Sequence, residues 1–136
     1  MMTQRIFIAI AFLTGLGMIF IGARFLLAPE TAEMGYGISF NEQGDFAFHY
    51  IKGIRDIFTG LLLCAFVLLN ERRALAITLL AGTIIPLTDM LIVLSKSYNS
   101  VQQALPHIIA SVICAVSGII LLTQNKPKTN ENATIH

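Results

Sequence analysis

Five charged side chains lie inside otherwise apolar stretches of this chain: Arg24, Lys52, Arg55, Asp56 and Asp89. A charge inside a membrane helix is expensive, so it normally marks a binding pocket, a transport pathway or a structural ion pair. A carboxylate can act as a general acid or base. Arginine and lysine can stabilise negative charge that develops on an oxygen atom. The residue types therefore indicate acid–base chemistry, anion binding or ion pairing between helices.

Two histidines accompany these charges and complete the candidate site. His107 opens the last apolar stretch, where it could act as an acid or a base, although a histidine at a helix start more often only lies at the membrane interface. His49 has the same two interpretations. The candidate catalytic residues are Asp56, Asp89 and His107, and the candidate ligand-binding residues are Arg24, Lys52, Arg55 and His49.

The segments that must position these residues are strongly apolar. Of the 136 residues, 55% are hydrophobic and 12% are charged, and the mean hydropathy is +0.73. An ordinary soluble domain has roughly 25% charged residues, so a soluble fold is disfavoured. The net charge of +1, without a basic patch, argues against nucleic-acid binding. Cys64 and Cys114 lack metal-ligand spacing and are expected to pack as small apolar residues, so neither a metal nor a cofactor is predicted.

Four apolar stretches each approach the roughly 20 residues that span a bilayer as a helix. Helices satisfy their own backbone polar groups, as lipid requires. The sequence predicts an all-α membrane protein, a four-transmembrane-helix bundle of up-down topology, with helices at about 6–28, 46–69, 74–94 and 105–123. Residues 1–123 form this domain, and the polar residues 124–136 are predicted to be a disordered tail. The first stretch is too long for a typical signal peptide, so we expect an uncleaved span.

Positively charged residues outside the spans predict the orientation in the membrane. One side carries Arg5, Arg72, Arg73, Lys126 and Lys128, whereas the other carries Lys96 and several acidic residues. By the positive-inside rule, the N- and C-termini are cytoplasmic and the protein resides in the cell (inner) membrane. The lipid bilayer is then its main partner, a small amphiphilic ligand is a further candidate, and an oligomer is compatible with the pattern.

This topology brings the candidate residues to one membrane face. The end of the first helix, the start of the second, the end of the third and the start of the fourth share the exoplasmic side. At a rise of roughly 1.5 Å per residue, the polar groups lie about 3–9 Å below that interface. The inner halves of the first three helices carry no ionisable side chain apart from the Cys64 thiol. This distribution favours a pocket closed at one end over a proton pathway or a pore.

The charges have two interpretations. In the first, arginine and aspartate side chains form two buried ion pairs, while Lys52 extends towards the lipid headgroups. In the second, three cations against two carboxylates leave one cation for an anionic or carbonyl-bearing ligand. Helical spacing supports a shared face in either case, because His49, Lys52, Asp56 and Thr59 follow steps of three and four residues.

The longest connection runs from Pro29 to about Asp45 and is rich in glycine, acidic and aromatic residues. Loops of this length often act as lids or binding loops. A plain surface loop, with its aromatic side chains at the membrane interface, is the alternative. Asp45 is a suitable N-cap for the second predicted helix.

Three motifs, together with His107, carry a resemblance to a known family. They are Lys52-Gly53-Ile54-Arg55-Asp56-Ile57-Phe58-Thr59-Gly60-Leu61, Ala28-Pro29 and Ile85-Pro86-Leu87-Thr88-Asp89. With them the chain resembles a family of small four-helix integral membrane proteins, found in bacteria and fungi, that is classed as a domain of unknown function. The resemblance covers about residues 6–122 and implies a fold but no activity. The chain is also loosely similar to DoxX-like four-helix proteins.

Three classes of function fit this pattern. The first is a membrane protein whose exoplasmic pocket binds a small, partly apolar molecule with an anionic or carbonyl group. Such a protein could act on its ligand by acid–base chemistry, as an isomerase or as a hydrolase that opens a lactone or an epoxide. The second is a small proton-coupled transporter. The third is a structural or accessory membrane subunit whose charges are buried ion pairs, and the residues alone do not decide whether the protein is an enzyme.

Overall fold

The computed structural model describes residues 2–38 and 44–124, and every regular element in those ranges is helical. The helices are α1 (Met2–Leu27), α2 (Pro29–Tyr36), α3 (Ala47–Leu68), α4 (Arg72–Gly82), α5 (Ile84–Leu94) and α6 (Val101–Gln124). The prediction of an all-α chain is confirmed for this part of the protein. The disorder predicted for the tail concerns residues that, beyond Gln124, lie outside the described ranges.

Three segments are long and apolar enough to cross a membrane: Met2–Leu27, Arg72–Leu94 and Val101–Gln124. The second joins α4 and α5, which meet at Thr83. Our prediction of a fourth span concerns α3, which is 22 residues long but carries Lys52, Arg55 and Asp56 within its first half. Membrane-spanning capacity is thus shown for three segments, and the bundle of four spans stays a prediction.

The division between α4 and α5 follows from Pro86. Proline has no backbone N–H, so the carbonyl one turn earlier, at Gly82, loses its helical partner. Thr83 bridges the gap: its N–H bonds to the carbonyls of Leu79 and Leu80 at 3.1 and 3.2 Å, and its hydroxyl donates to Leu79 at 2.9 Å. The chain direction is therefore kept, and α5 continues from α4.

The start of α6 differs from the prediction, which placed it at about residue 105 with Pro106 in the first turn. The helix begins at Val101, and Pro106 lies inside it. The reason is a capping box, in which Gln103 Oε1 accepts the Ser100 N–H at 2.9 Å and the Ser100 hydroxyl lies 3.3 Å from the Gln102 N–H. This pairing satisfies N–H groups that would otherwise lack partners at the helix start.

α1 and α3 pack closely along their length because glycines face each other at two levels. Gly22 lies against Gly53, and Gly15 lies against Gly60. A Cβ atom at Gly60 would collide with the carbonyl oxygen of Gly15, and one at Gly22 with the carbonyl oxygen of Gly53. Small residues of this kind let membrane helices approach to backbone contact.

The hydrophobic core lies at one end of the molecule, which we call the inner half. The inner half contains the start of α1, the end of α3, most of α4 and the end of α6. The buried residues of the core are Ala11, Leu63, Leu75, Ala76, Leu79 and Leu121. Partly buried side chains such as Phe7, Ile8 and Phe66 pack against this cluster. The other end, where α1 and α5 finish and α3 and α6 begin, is called the outer half.

The predicted loop after α1 contains a helix instead. Pro29 occupies the first turn of α2 and Glu30 follows it, and both residue types favour a helix N-terminus. The helix ends at Gly37, whose φ of 90° is the left-handed conformation that glycine adopts without strain. Further along, Asp45 accepts a hydrogen bond from the Ala47 N–H at 2.9 Å and so helps to begin α3.

Candidate functional site

A cavity of about 310 Å³ lies in the outer half, enclosed by residues from all six helices. Its polar end is formed by Arg24, Tyr36, Lys52, Asp56, Asp89 and His107. Its apolar end reaches the core and includes Met18, Leu63, Leu79 and Cys114. Small-molecule sites are typically about 300–1,000 Å³, mostly apolar, with a few polar groups that fix orientation. The volume and the lining both fit that description.

Lys52 and Asp56 form an ion pair within α3, one helical turn apart. The Lys52 ammonium lies 2.8 Å from Asp56 Oδ2, and the two residues are 8% and 4% exposed. The ammonium also lies over the rings of Phe25 and Tyr36, at 4.9 and 4.8 Å from their centroids. These aromatic faces attract a cation. Lys52 therefore points inward and its charge is balanced locally, which differs from the first interpretation above, in which Lys52 extends towards the headgroups.

His107, Tyr36 and Asp89 form the second polar group. His107 Nε2 lies 3.1 Å from the Tyr36 carbonyl oxygen. A carbonyl oxygen can only accept, so Nε2 carries a hydrogen and donates it. His107 Nδ1 lies 3.9 Å from Asp89 Oδ2. In a neutral ring that nitrogen is an acceptor, and it faces a carboxylate that is an acceptor too. The arrangement is favourable only if one of the two groups is protonated or a hydrogen-bond donor lies between them.

The Tyr36 side chain joins this group from α2. Burial, followed by a hydrogen bond to Asp89 and the negative charge of that carboxylate, raises the pKa of the Tyr36 phenol. The phenol therefore stays protonated and donates to Asp89. Its ring also meets His107 edge-on, with centroids 4.9 Å apart. Tyr36 thus holds both members of the pair in place.

α2 forms a roof over the polar end of the cavity, to which it contributes Ala32, Gly35 and Tyr36. Contacts from three other helices or their ends fix this roof. His49 on α3 pairs with Glu33 at 2.8 Å. Asn99, after α5, donates to the Gly37 carbonyl at 2.6 Å and to the Val93 carbonyl at 3.0 Å. The bond from His107 supplies the tie to α6.

Arg24 lies at the end of α1, half-buried at the edge of the cavity. Its hydrogen bond to the Thr31 carbonyl oxygen is long, at 3.4 Å from Nη2. Within residues 2–38 and 44–124 no carboxylate forms an ion pair with it. Its guanidinium is therefore the cation best placed to bind an anionic or carbonyl oxygen in the cavity.

The structure brings five of the seven predicted site residues to the cavity wall: Arg24, Lys52, Asp56, Asp89 and His107. His49 is fully buried beside Phe25 and Phe46, and it holds α2 rather than lining the cavity. Arg55 lies on the exposed side of α3 and does not line the cavity either. The two Arg–Asp ion pairs that we considered do not form among the described residues, where the carboxylates meet Lys52, Tyr36 and His107 instead.

Sequence reasoning missed Tyr36, Glu33 and Asn99. The spacing of Ala32, Gly35 and Tyr36 follows steps of three and four residues, so a helical pattern was present but short. Glu33 and Asn99 carry no comparable signal, because each acts through a partner that is distant in sequence.

A family model described as "Domain of unknown function (DUF4267)" matches residues 15–121. The chain belongs to this family. The matched range contains every cavity-lining residue except Thr14. The predicted membership in a family of unknown function is confirmed, whereas the looser likeness to DoxX-like proteins has no support from the comparisons. No curated protein and no solved structure matches the chain.

Proposed function

We propose that α3 is the fourth transmembrane helix and that the protein is an up-down bundle of four spans. At a rise of about 1.5 Å per residue, a 22-residue helix is long enough to cross the hydrocarbon core. Its two buried charges neutralise each other inside the bundle, which lowers the penalty for burying them. The close glycine contacts with α1, itself a candidate span, support the same placement.

With both termini cytoplasmic and the protein in the cell (inner) membrane, the cavity faces the exoplasmic side. The distribution of positive residues supports this orientation: Arg5, Arg72 and Arg73 lie at the inner end. Cysteine substitutions at Arg5 and Lys96, tested with a membrane-impermeant thiol reagent on intact cells, check it. Labelling at Lys96→Cys alone is expected, and labelling at Arg5→Cys alone would reverse the orientation.

The function that the geometry supports best is binding of a small, partly apolar molecule that carries a carbonyl or anionic group. The observation behind this proposal is the two-ended cavity, which is polar at Arg24, Asp89 and His107 and apolar at Met18 and Leu79. An amphiphile bound there would place its polar group against the hydrogen-bonding residues and its chain against the core. The cluster of core side chains closes the inner end, which favours a pocket over a transport route.

The Asp89–His107 pair adds acid–base capability. A bound carbonyl compound whose oxygen contacts Arg24 would have its α-proton acidified, because the cation stabilises charge on the enolate oxygen. One member of the pair would take that proton and return it at another carbon of the same molecule. Such an isomerisation needs no co-reactant. Hydrolysis, with the pair activating a water molecule, is the alternative within the same site.

Lys52 and Asp56 have a different role in this proposal. Their short mutual contact and their low exposure favour a structural ion pair, so Asp56 is a weaker candidate for catalysis than Asp89. A structural role for these charges also explains why a membrane helix tolerates them.

Binding is tested by purifying the protein in mild detergent and identifying co-purified small molecules by mass spectrometry. The native protein is expected to retain an amphiphile that Asp89→Asn and His107→Gln lose, with a helical fold unchanged by circular dichroism. Arg55→Gln is the matched control, because Arg55 lies outside the cavity, and it should retain the molecule. Equal retention by all four proteins would contradict a role for the Asp89–His107 pair.

A further inference from the structure

We infer that the ligand is a single-chain lipid amphiphile with a carboxylate head, and that it reaches the cavity sideways from the bilayer, between α3 and α5. This inference rests on the proposed function and adds the ligand class and its route. It depends on three features of the outer half: a gap between two helices that make little contact, a fixed roof, and the Arg24 guanidinium at the cavity edge, which forms no ion pair with any described carboxylate.

The gap lies between α3 and α5, which are close in the chain but make little contact. α3 packs mainly on α1, whereas α4 and α5 pack mainly on α6. α3 packs lightly against α4 and scarcely meets α5. Asp56 and Thr59 on α3 nevertheless line the same cavity as Ile85 and Asp89 on α5. The cavity therefore extends into the space where these two helices separate.

The α5 side of this gap is apolar. Ile85 lines the cavity and is still 40% exposed, so it lies at the boundary between the cavity and the outside. Ile84, its neighbour in the chain, is 67% exposed, and Phe58 on α3 is 64% exposed. In a transmembrane bundle such side chains face acyl chains rather than water. An opening at this position would admit a molecule already dissolved in the bilayer.

The aqueous route is obstructed by α2. The roof is tied to α3 by the His49–Glu33 contact, to α6 by the His107 bond and to the end of α5 by Asn99. A molecule from the water would have to displace these contacts, whereas one from the bilayer would not. The structure therefore makes the lateral route the less obstructed of the two.

The shape and charge of the cavity define the ligand class. A volume of about 310 Å³ lies at the lower end of the roughly 300–1,000 Å³ of small-molecule sites, which favours a single-chain ligand over a two-chain phospholipid. The Lys52 ammonium is already paired with Asp56, whereas Arg24 lines the cavity and forms no ion pair with a described carboxylate, so its guanidinium can bind the carboxylate of a ligand. A single chain would then run along Met18 and Leu79, and any excess length would remain in the bilayer through the gap.

The test uses dodecanoic acid that carries a photoreactive diazirine on its chain, added in phosphatidylcholine vesicles to the full-length protein in proteoliposomes. Samples are photolysed at increasing times after mixing, and labelled residues are mapped by mass spectrometry. We expect labelling of cavity residues in the native protein. We expect labelling to fall by about tenfold in Arg24→Gln and with the matching dodecylamine probe, because the carboxylate–guanidinium contact is lost.

Three tryptophan variants and one roof variant locate the route. Ile85→Trp narrows the gap and should slow labelling by about tenfold, whereas the neighbouring Ile84→Trp, which faces outward, should change it by less than about twofold. Ile21→Trp obstructs another exposed part of the cavity wall, on α1, and should also have little effect on the rate. Asn99→Ala loosens the roof and should leave the rate unchanged.

The possible results separate the inference from the proposed function. If Ile21→Trp slows labelling and Ile85→Trp does not, or if Asn99→Ala accelerates it, the route between α3 and α5 is wrong while binding in the cavity stands. If dodecylamine labels the cavity as well as the acid does, the carboxylate class is wrong. If neither probe labels any cavity residue of the native protein, the proposed function fails and the inference fails with it.

Discussion

The inner and outer halves of this bundle are stabilised by different kinds of interaction. In the inner half, residues such as Ala11, Leu75 and Leu121 are almost fully buried and pack into one apolar cluster. In the outer half, ionisable side chains replace that cluster and surround a cavity. Dense apolar packing holds the inner half together, whereas short polar contacts between helices hold the outer half open.

This difference shows how a small apolar helical protein can combine stability with a large cavity. Dispersion forces and helix contact stabilise membrane bundles, because lipid offers no hydrophobic driving force between helices. Opening a cavity gives up part of that contact. In the outer half, the loss is offset by the Lys52–Asp56 pair, the roof contacts and the close approach of α1 and α3 at Gly22 and Gly53. The following predictions test whether stability and binding divide between the halves in this way.

The largest loss of stability is expected from breaking the buried ion pair of the outer half. Lys52→Met leaves the Asp56 carboxylate buried without its partner and should cost about 3–5 kcal/mol. The double variant Lys52→Met, Asp56→Leu should recover most of this loss, since no charge is left buried. The free energy of unfolding of each variant is measured by denaturant titration in mild detergent, with circular dichroism as the signal. A double variant no more stable than the single one would mean that the pair has a role beyond neutralisation.

The second-largest loss of stability is expected from truncating a buried side chain in the core of the inner half. Leu121→Ala removes a fully buried side chain from the core and should cost about 2–5 kcal/mol, because a cavity remains. Ile85→Ala, at the cavity rim of the outer half, should cost less than about 1 kcal/mol, since its side chain is already partly exposed. Similar losses at both positions in thermal unfolding would remove the contrast in packing between the halves.

Loosening the roof should have a smaller effect. Asn99→Ala removes the hydrogen bonds to the carbonyls of Gly37 and Val93 and should cost about 1–2 kcal/mol. Hydrogen exchange should accelerate in α2 but not in the inner half, where the core is untouched. Uniform acceleration across all helices would indicate that the roof stabilises the whole bundle.

The smallest effects should come from two arginines that carry the same charge in different settings. Arg55→Gln changes an exposed side chain and should alter stability by less than about 0.5 kcal/mol. Arg24→Gln should be similarly mild in stability, because the hydrogen bond from Arg24 to Thr31 is long, yet it should abolish retention of a co-purified amphiphile. Loss of the amphiphile in Arg55→Gln as well would mean that the exposed arginine also takes part in binding.

Much of the fold could be predicted because helices obey local rules. Apolar runs of membrane length, the proline in α5 and the facing glycines of α1 all act within one helix or between two neighbours. The short helix α2 was missed because eight residues, with glycine among them, give little periodic signal. The start of α6 was misplaced because Pro106 was taken as the first turn and the capping box at Ser100 and Gln103 was overlooked.

Within the candidate site, too, the relations inside one helix were predictable, whereas those between helices were not. Sequence spacing placed Lys52 and Asp56 on one face of α3, and the helical period makes that relation independent of the rest of the fold. The partners of Asp89 could not be read in this way. Tyr36 and His107 come from α2 and α6, and their meeting depends on how those helices pack.

By itself, the sequence determined that the chain is helical, that it has segments long and apolar enough to span a membrane, and that charged residues interrupt these segments at a few positions, because composition and the helical period act locally. Only the tertiary structure decided which charges are neutralised. It turned Lys52 inward, left Arg55 outside the cavity and brought Tyr36 onto Asp89. The physical reason is that the energy of a charge depends on what surrounds it in space, and neighbours from other helices are fixed only by packing.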